Sequence, residues 1–179
     1  MRVITGSARG RRLEEPAGRD IRPTTDLVKE AAFSIVQFDV EGRQVLDLFA
    51  GTGQLGIEAL SRGAAGCVFV DRSRAAAELV RRNLKRCGFT APVLQADSLA
   101  YLERCGKFGL IFLDPPYGLG LETQALEKIM EFDILLEGGI IVCETRRETA
   151  LPAPRAPYCL GREYRYGKVK LTTYLRESG

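Results

Sequence analysis

Val45-Leu46-Asp47-Leu48-Phe49-Ala50-Gly51-Thr52-Gly53-Gln54-Leu55-Gly56 is a short apolar run that ends in a loop containing glycines. Val45 to Phe49 reads as a buried strand, and Gln54 to Arg62 as a helix closed by Gly63. Between them, Gly51 and Gly53 lack a β-carbon, so the chain turns tightly and a ligand comes close to the backbone. Strand, glycine loop and helix in that order open an α/β sheet, a fold that binds its ligands at the carboxyl ends of the strands.

The alternation continues downstream. Gly66 to Val70 reads as a strand, Ser73 to Cys87 as a helix ending at Gly88, and Val93-Leu94 as a short strand. A helix from Ser98 to Arg104, the apolar strand Phe108 to Leu113, a helix from Glu122 to Phe132 and a strand from Ile140 to Glu144 follow. Strands apolar on both faces and separated by helices imply a parallel sheet covered on both sides. Beyond Pro152, Pro154 and Pro157, the segments Glu163–Tyr166 and Val169–Leu175 flank Gly167 and form an antiparallel hairpin. Five βα units closed by such a hairpin match a methyltransferase sheet better than a simple dinucleotide fold. That domain is expected over residues 44–179. Residues 1–43 are expected to form a basic appendage. In it Val3-Ile4-Thr5 pairs with Arg11-Arg12-Leu13, and Thr24 or Thr25 caps a helix with Val28, Ala31, Ala32 and Ile35 on one face.

Composition removes several kinds of chemistry. With 179 residues, 45% hydrophobic and 27% charged, the chain fits one soluble domain. No stretch is apolar for long enough to span a membrane and no signal peptide is evident, so a cytoplasmic location is expected. The sequence has no histidine, which excludes an imidazole base or a Ser/His/Asp triad. Cys67, Cys87, Cys105, Cys143 and Cys159 are odd in number and widely spaced, which argues for packing rather than disulfides or zinc, and no metal is expected. Net charge is only +3, yet Arg2, Arg9, Arg11 and Arg12 precede the first acid, and Arg162, Arg165, Lys168 and Lys170 crowd the other end. Clustered cations are what a nucleic-acid partner requires.

Acidic residues mark the strand ends. Asp47 stands beside the loop Phe49-Ala50-Gly51-Thr52-Gly53, and Asp71 ends the second strand, placed to accept hydrogen bonds from two ribose hydroxyls. Asp97, with Ser98 beside it, ends the third strand and suits an adenine amine. Gly51, Gly53 and Gly56 also spell G-x-G-x-x-G, the dinucleotide pattern. Asp47 argues against that reading, because it suits a cationic amino-acid group and repels a pyrophosphate. S-adenosylmethionine is the expected cofactor.

Asp114-Pro115-Pro116-Tyr117 follows the apolar strand Phe108–Leu113. The prolines fix the turn and aim the Pro115 carbonyl, and Tyr117 offers a face on which a base stacks. A base amine is a poor nucleophile because its lone pair is delocalised. Asp114 and the Pro115 carbonyl accept its hydrogens and return density to nitrogen. Asp114, Pro115 and Tyr117 are therefore the catalytic candidates.

Ile4-Thr5-Gly6 through Gly10-Arg11, Arg22-Pro23-Thr24-Thr25-Asp26, the loop Asp47 to Gly53, Leu60-Ser61-Arg62-Gly63-Ala64, Asp114 to Tyr117 and Tyr166-Gly167 together resemble one bacterial family over nearly the whole chain. That family is the RsmD-type methyltransferases, which modify a guanine exocyclic N2 amine in small-subunit (16S) ribosomal RNA. The resemblance implies the class I S-adenosylmethionine-dependent methyltransferase fold, which is Rossmann-like, and an RNA substrate within an assembling small subunit. Arg9, Arg11, Arg12, Arg22 and Thr24 of the appendage are expected to face that RNA. Lys29 replaces the family's usual arginine, Asp71 is shorter than its usual glutamate, and Lys168-Val169 replaces polar residues. A DNA adenine or cytosine amine methyltransferase shares D-P-P-Y but normally carries a recognition domain for which this chain has no room. A non-catalytic RNA-binding assembly factor and a dehydrogenase are the remaining alternatives.

Overall fold

The computed structural model describes residues 1–17 and 25–179. Its seven strands form one sheet in the order β3-β2-β1-β4-β5-β7-β6. The strands β1 (Gln44–Asp47), β2 (Gly66–Asp71), β3 (Val93–Gln95), β4 (Phe108–Leu113) and β5 (Leu135–Arg146) run parallel. The last strand, β7 (Val169–Arg176), lies antiparallel between β5 and the edge strand β6 (Tyr158–Tyr166).

All six residues of β4 are buried, as a strand covered on both faces requires. Its side chains divide with a period of two. Leu110 and Phe112 join a core with helices α1 (Asp26–Ile35), α2 (Gln54–Ser61) and α3 (Arg74–Cys87). Ile111 and Leu113 join a second core with α4 (Ser98–Leu102) and α5 (Leu121–Glu131). Each buried aliphatic side chain is worth about 1.5–3 kcal/mol. Truncating Leu110, fully buried at the sheet's centre, is expected to cost about 2–5 kcal/mol.

The boundaries depart from the sequence reading where glycine interrupts the pattern. β5 begins at Leu135 rather than Ile140. Glu137-Gly138-Gly139 breaks its apolar run, and its register against β4 shifts there. β6 likewise begins earlier, at Tyr158, with a register irregularity near Gly161. α4 is a short helix that stops at Leu102.

The first residues pair through a single antiparallel bridge, Arg2 with Arg12, rather than through two full strands. Val3 N–H donates to Arg11 O (2.9 Å) and Gly10 N–H to Val3 O (2.9 Å). Thr25 is the cap of α1, its side chain accepting from Val28 N–H. The buried face of α1 is Val28, Lys29, Ala32 and Phe33, whereas Ala31 and Ile35 are only half-buried. Two contacts rotate the helix away from the expected face. Phe33 packs on Phe112 with ring centroids 5.2 Å apart. Lys29 is fully buried because Glu58, also fully buried, waits 3.8 Å away and the Lys29 Nζ donates a hydrogen bond to Arg2 O at 2.6 Å. Glu58 in turn accepts from Ile4 N–H, Thr5 N–H and Arg62 (2.8, 3.0 and 3.0 Å). One buried carboxylate therefore fastens the basic N-terminal turn to α2, and Lys29 meets it as a point charge rather than as a fork. Parallel strands in this order with an inserted antiparallel strand are the class I S-adenosylmethionine-dependent methyltransferase fold.

Candidate active site

At the carboxyl ends of the parallel strands lies a cavity of about 430 Å³, a volume ordinary for a small-molecule site. The loop after β1 lines it with Asp47, Phe49, Ala50 and Gly51, and the segment after β4 with Asp114, Pro115, Pro116 and Tyr117. Asp71 from the end of β2, and Asp97 with Ser98 at the start of α4, complete the set expected from the sequence. Gly53 is the exception, for it does not line the cavity.

The three glycines have separate tasks. Gly51 has a left-handed backbone (φ +57°), and a β-carbon there would meet no atom within 4 Å. That open space belongs to the cavity wall. Gly53 (φ +77°) is the N-cap of α2, and its missing β-carbon faces Val80 at 3.1 Å. A β-carbon on Gly56 would fall 2.3 Å from the Phe69 ring, so that glycine lets α2 lie close on β2. The G-x-G-x-x-G spelling thus conceals one cavity-lining glycine and two that serve packing. Phe49, not a glycine, also has positive φ (+65°), a strained conformation of the kind that gathers at functional sites.

Backbone donors fix the carboxylates. Asp71 accepts from Gly51 N–H (2.9 Å) through one oxygen and from Ser73 N–H (2.8 Å) through the other. Each oxygen keeps a second lone pair for a ligand hydroxyl. Asp97 caps α4 through Ala100 N–H (2.9 Å) with one oxygen. Asp47 is 3% exposed and accepts from Gly56 N–H at 2.9 Å. Burial pushes its carboxyl up to about 8, with Asp114 and Asp71 adding to the rise and the Gly56 N–H opposing it. Among the described residues neither Asp47 nor Asp71 makes an ion pair. An acidic, dry wall of this kind suits a cationic ligand and disfavours a pyrophosphate.

Two site residues escaped the sequence reading. Glu144, buried at 6% exposure near the end of β5, lines the cavity and accepts the Tyr117 hydroxyl at 3.1 Å. The signal was present, since it is an acid at a strand's carboxyl end like Asp47 and Asp71. Asn83, fully buried on α3, donates to Thr52 O (3.0 Å) and Glu14 O (3.1 Å) and accepts from Glu14 N–H (2.7 Å). It ties the glycine loop to the N-terminal turn. A single amide on the apolar face Ala76, Val80, Leu84, Cys87 was the readable sign.

The basic residues lie elsewhere. Arg9, Arg11 and Arg12 are exposed on the N-terminal turn, and none of residues 1–17 lines the cavity. Arg22 and Thr24 lie outside the described residues. At the other terminus Glu163 pairs with both Arg165 (2.9 Å) and Lys170 (3.2 Å), which reduces that cluster's field. Among the described residues no cluster of Cys, Asp and Glu is arranged to hold a metal ion, and no helix is long and apolar enough to cross a membrane.

Known proteins match this chain along its whole length. Ribosomal RNA small subunit methyltransferase D of Escherichia coli (strain K12) is 35% identical over 99% of this chain and 91% of its own. The YlbH protein of Bacillus subtilis (strain 168), named provisionally as an rRNA methyltransferase, is 43% identical over 97% of this chain and 98% of its own. The solved structure of the E. coli yhhF protein, described provisionally as a methyltransferase, superposes with a TM-score of 0.90 at 33% identity, covering 100% and 99% of the two chains. The model of the family described as conserved hypothetical protein 95 matches residues 1–175, and the chain belongs to that family.

Proposed function

We propose that this protein transfers a methyl group from S-adenosylmethionine to the exocyclic N2 amine of a guanine in small-subunit ribosomal RNA. One observation carries the reading: the acidic glycine loop and Asp114-Pro115-Pro116-Tyr117 line the same cavity. Ribosomal RNA as the substrate class is supported by the relatives' names, and guanine N2 by the Arg22 to Asp26 resemblance.

The residues present fit the cofactor. Asp47 offers a buried carboxylate to its ammonium group, Asp71 two fixed oxygens to its ribose hydroxyls, and Asp97 an acceptor near its adenine. Gly51 leaves the space that a side chain would fill. When bound, the cofactor supplies a methyl group made electrophilic by a sulfonium. Asp114 and the Pro115 carbonyl accept hydrogen bonds from the N–H groups of the target amine and direct its lone pair outward. Tyr117 holds the base plane by stacking, so positioning and exclusion of water replace a strong base. We assign residues 44–179 to this chemistry and the basic residues of 1–43, Arg9, Arg11, Arg12 and Arg22, together with Thr24, to RNA contact within an assembling subunit.

The test incubates protein and labelled donor with naked ribosomal RNA, small ribosomal subunits and duplex DNA, then identifies the methylated nucleosides by mass spectrometry. N2-methylguanosine in the subunits is the expected product. Methyladenine or methylcytosine in DNA would replace this reading with a DNA enzyme, and donor binding without any product would replace it with a non-catalytic assembly factor.

A further inference from the structure

Tyr117 is held from two sides by the same strand. Its hydroxyl donates to Glu144 Oε1 at 3.1 Å, and the Arg146 guanidinium lies 5.3 Å from its ring centroid. Glu144 and Arg146 are two residues apart near the end of β5, but their surroundings differ. Glu144 is buried and lines the cavity, whereas Arg146 is exposed and does not line it. The cation therefore reaches the ring from outside the set of residues that line the cavity.

Strand pairing fixes both residues. Glu144 and Arg146 register with Leu171 and Val169 of β7, and Arg147 N–H donates to Lys168 O at 2.9 Å. The tip of the C-terminal hairpin thus buttresses the strand end that grips Tyr117. A tyrosine following two prolines but otherwise exposed would swing about its first torsion. An acceptor on its hydroxyl and a cation on one face restrict it to one plane.

We propose that Glu144 and Arg146 are positioning residues for Tyr117, which hold its ring at the cavity wall in the orientation on which the target base stacks. The proposal rests on the methyltransferase reading above. It also gives the C-terminal hairpin a task, since β7 holds the strand that carries both residues. A guanidinium over an aromatic ring gains from the ring's negative quadrupole, which restrains the ring's tilt.

The test is a double-mutant cycle with small ribosomal subunits lacking the modification and a tritiated donor. Tyr117→Phe and Glu144→Ala should each lower kcat/KM about tenfold, the effect of removing one hydrogen bond to a charged group. The double variant should fall no further, because both changes remove the same hydrogen bond. Glu144→Gln, which keeps an acceptor for the hydroxyl, should recover most of what Glu144→Ala loses. Arg146→Ala should raise KM about two- to fivefold with little change in kcat, and Arg146→Lys should recover part of it. Donor affinity by calorimetry should stay at the wild-type value for Tyr117→Phe and Arg146→Ala, and donor binding by the Glu144 variants reports that each is folded. Multiplying losses in the double variant, or a Glu144→Gln as impaired as Glu144→Ala, would overturn the proposal while leaving the methyltransferase reading intact. A wild-type protein that methylates no substrate would overturn both.

Discussion

Asp47 and Asp133 are two carboxylates placed at or just beyond the ends of regular structure, and their surroundings are opposite. Asp133 lies in the turn between α5 and β5 and accepts from Arg176 (2.8 Å), Lys107 (2.7 Å) and the Tyr158 hydroxyl (3.1 Å). Arg176, then Lys107, hold its carboxyl well below the usual range. Asp47 accepts from the Gly56 N–H, sits in a dry wall beside Asp71 and Asp114, and is pushed up instead. Asp133 is a completed structural joint, tying the last strand to the body of the protein. Asp47 belongs to the cavity wall, and on the proposed reading its counter-charge arrives with the cofactor. Carboxylates without a cation inside a fold are costly, so Asp47 and Asp71 at one end of the sheet point to function more directly than the cavity's size.

Exchanging the two regions' roles by mutation gives the largest contrast. Asp114→Ala in the acidic wall should lower methyl transfer by about 10²–10³-fold, the usual scale for removing one group aimed at the reacting atoms. Its donor affinity should change little. Asp133→Ala should instead lower stability by about 1–2 kcal/mol, its partial exposure limiting the effect, with turnover per folded molecule unchanged. An Asp114→Ala enzyme with near-normal turnover would remove the catalytic assignment.

The comparison also predicts opposite pH dependences. Asp47 has a raised pKa in the folded state, so the folded protein holds a proton that the unfolded chain has released. Its contribution makes stability fall as pH rises from about 4 towards about 8, by up to about 1.4 kcal/mol per pH unit. Asp133 has a lowered pKa, so its stabilisation is present above the unfolded value and is lost as pH falls through the folded one. Thermal melts of the ligand-free protein between pH 5 and pH 8 should slope downwards. Asp47→Asn should flatten that slope, and so should saturating donor. A slope identical in the wild type and Asp47→Asn would show that the carboxylate does not carry the effect.

Gly51 and Gly10 sharpen the contrast at smaller scale. Both have positive φ (+57° and +82°) and open space where a β-carbon would go. Alanine at either position should cost about 1–2 kcal/mol of stability, the strain of a left-handed residue. Only Gly51→Ala should weaken donor binding as well, measured by calorimetry on the folded variants. Equal donor affinities for the two would move the ligand away from the glycine loop.

The smallest effect concerns the basic turn. Replacing Arg9, Arg11 and Arg12 with alanine should flatten the salt dependence of RNA binding, the slope falling by about 0.7–0.9 for each phosphate that is no longer neutralised. An unchanged slope would make these arginines a solvated surface.

Much of this was readable in the chain. Alternating apolar strands and helices determine a parallel sheet because each strand must be buried on both faces, and the acids at the strand ends then fall on one rim. Asp47, Asp71, Asp97 and Asp114 could be named from that rule, since the rule depends only on local periodicity. The face of α1 could not. Val28, Ala31, Ala32 and Ile35 satisfy a helical stripe as well as the observed face does. Only the buried Glu58 and the Phe112 ring, distant in sequence, select Lys29 and Phe33. The division among Gly51, Gly53 and Gly56 was equally hidden, because spacing does not say which missing β-carbon meets open space and which faces Phe69. Glu144 obeyed the strand-end rule, yet its grip on Tyr117 exists only because β5 lies beside β4 in the sheet. Sequence by itself determined the fold class and the chemistry of the rim, both products of local pattern. Tertiary structure decided which groups touch, because contacts between residues far apart in the chain depend on strand order and helix rotation, which local periodicity does not encode.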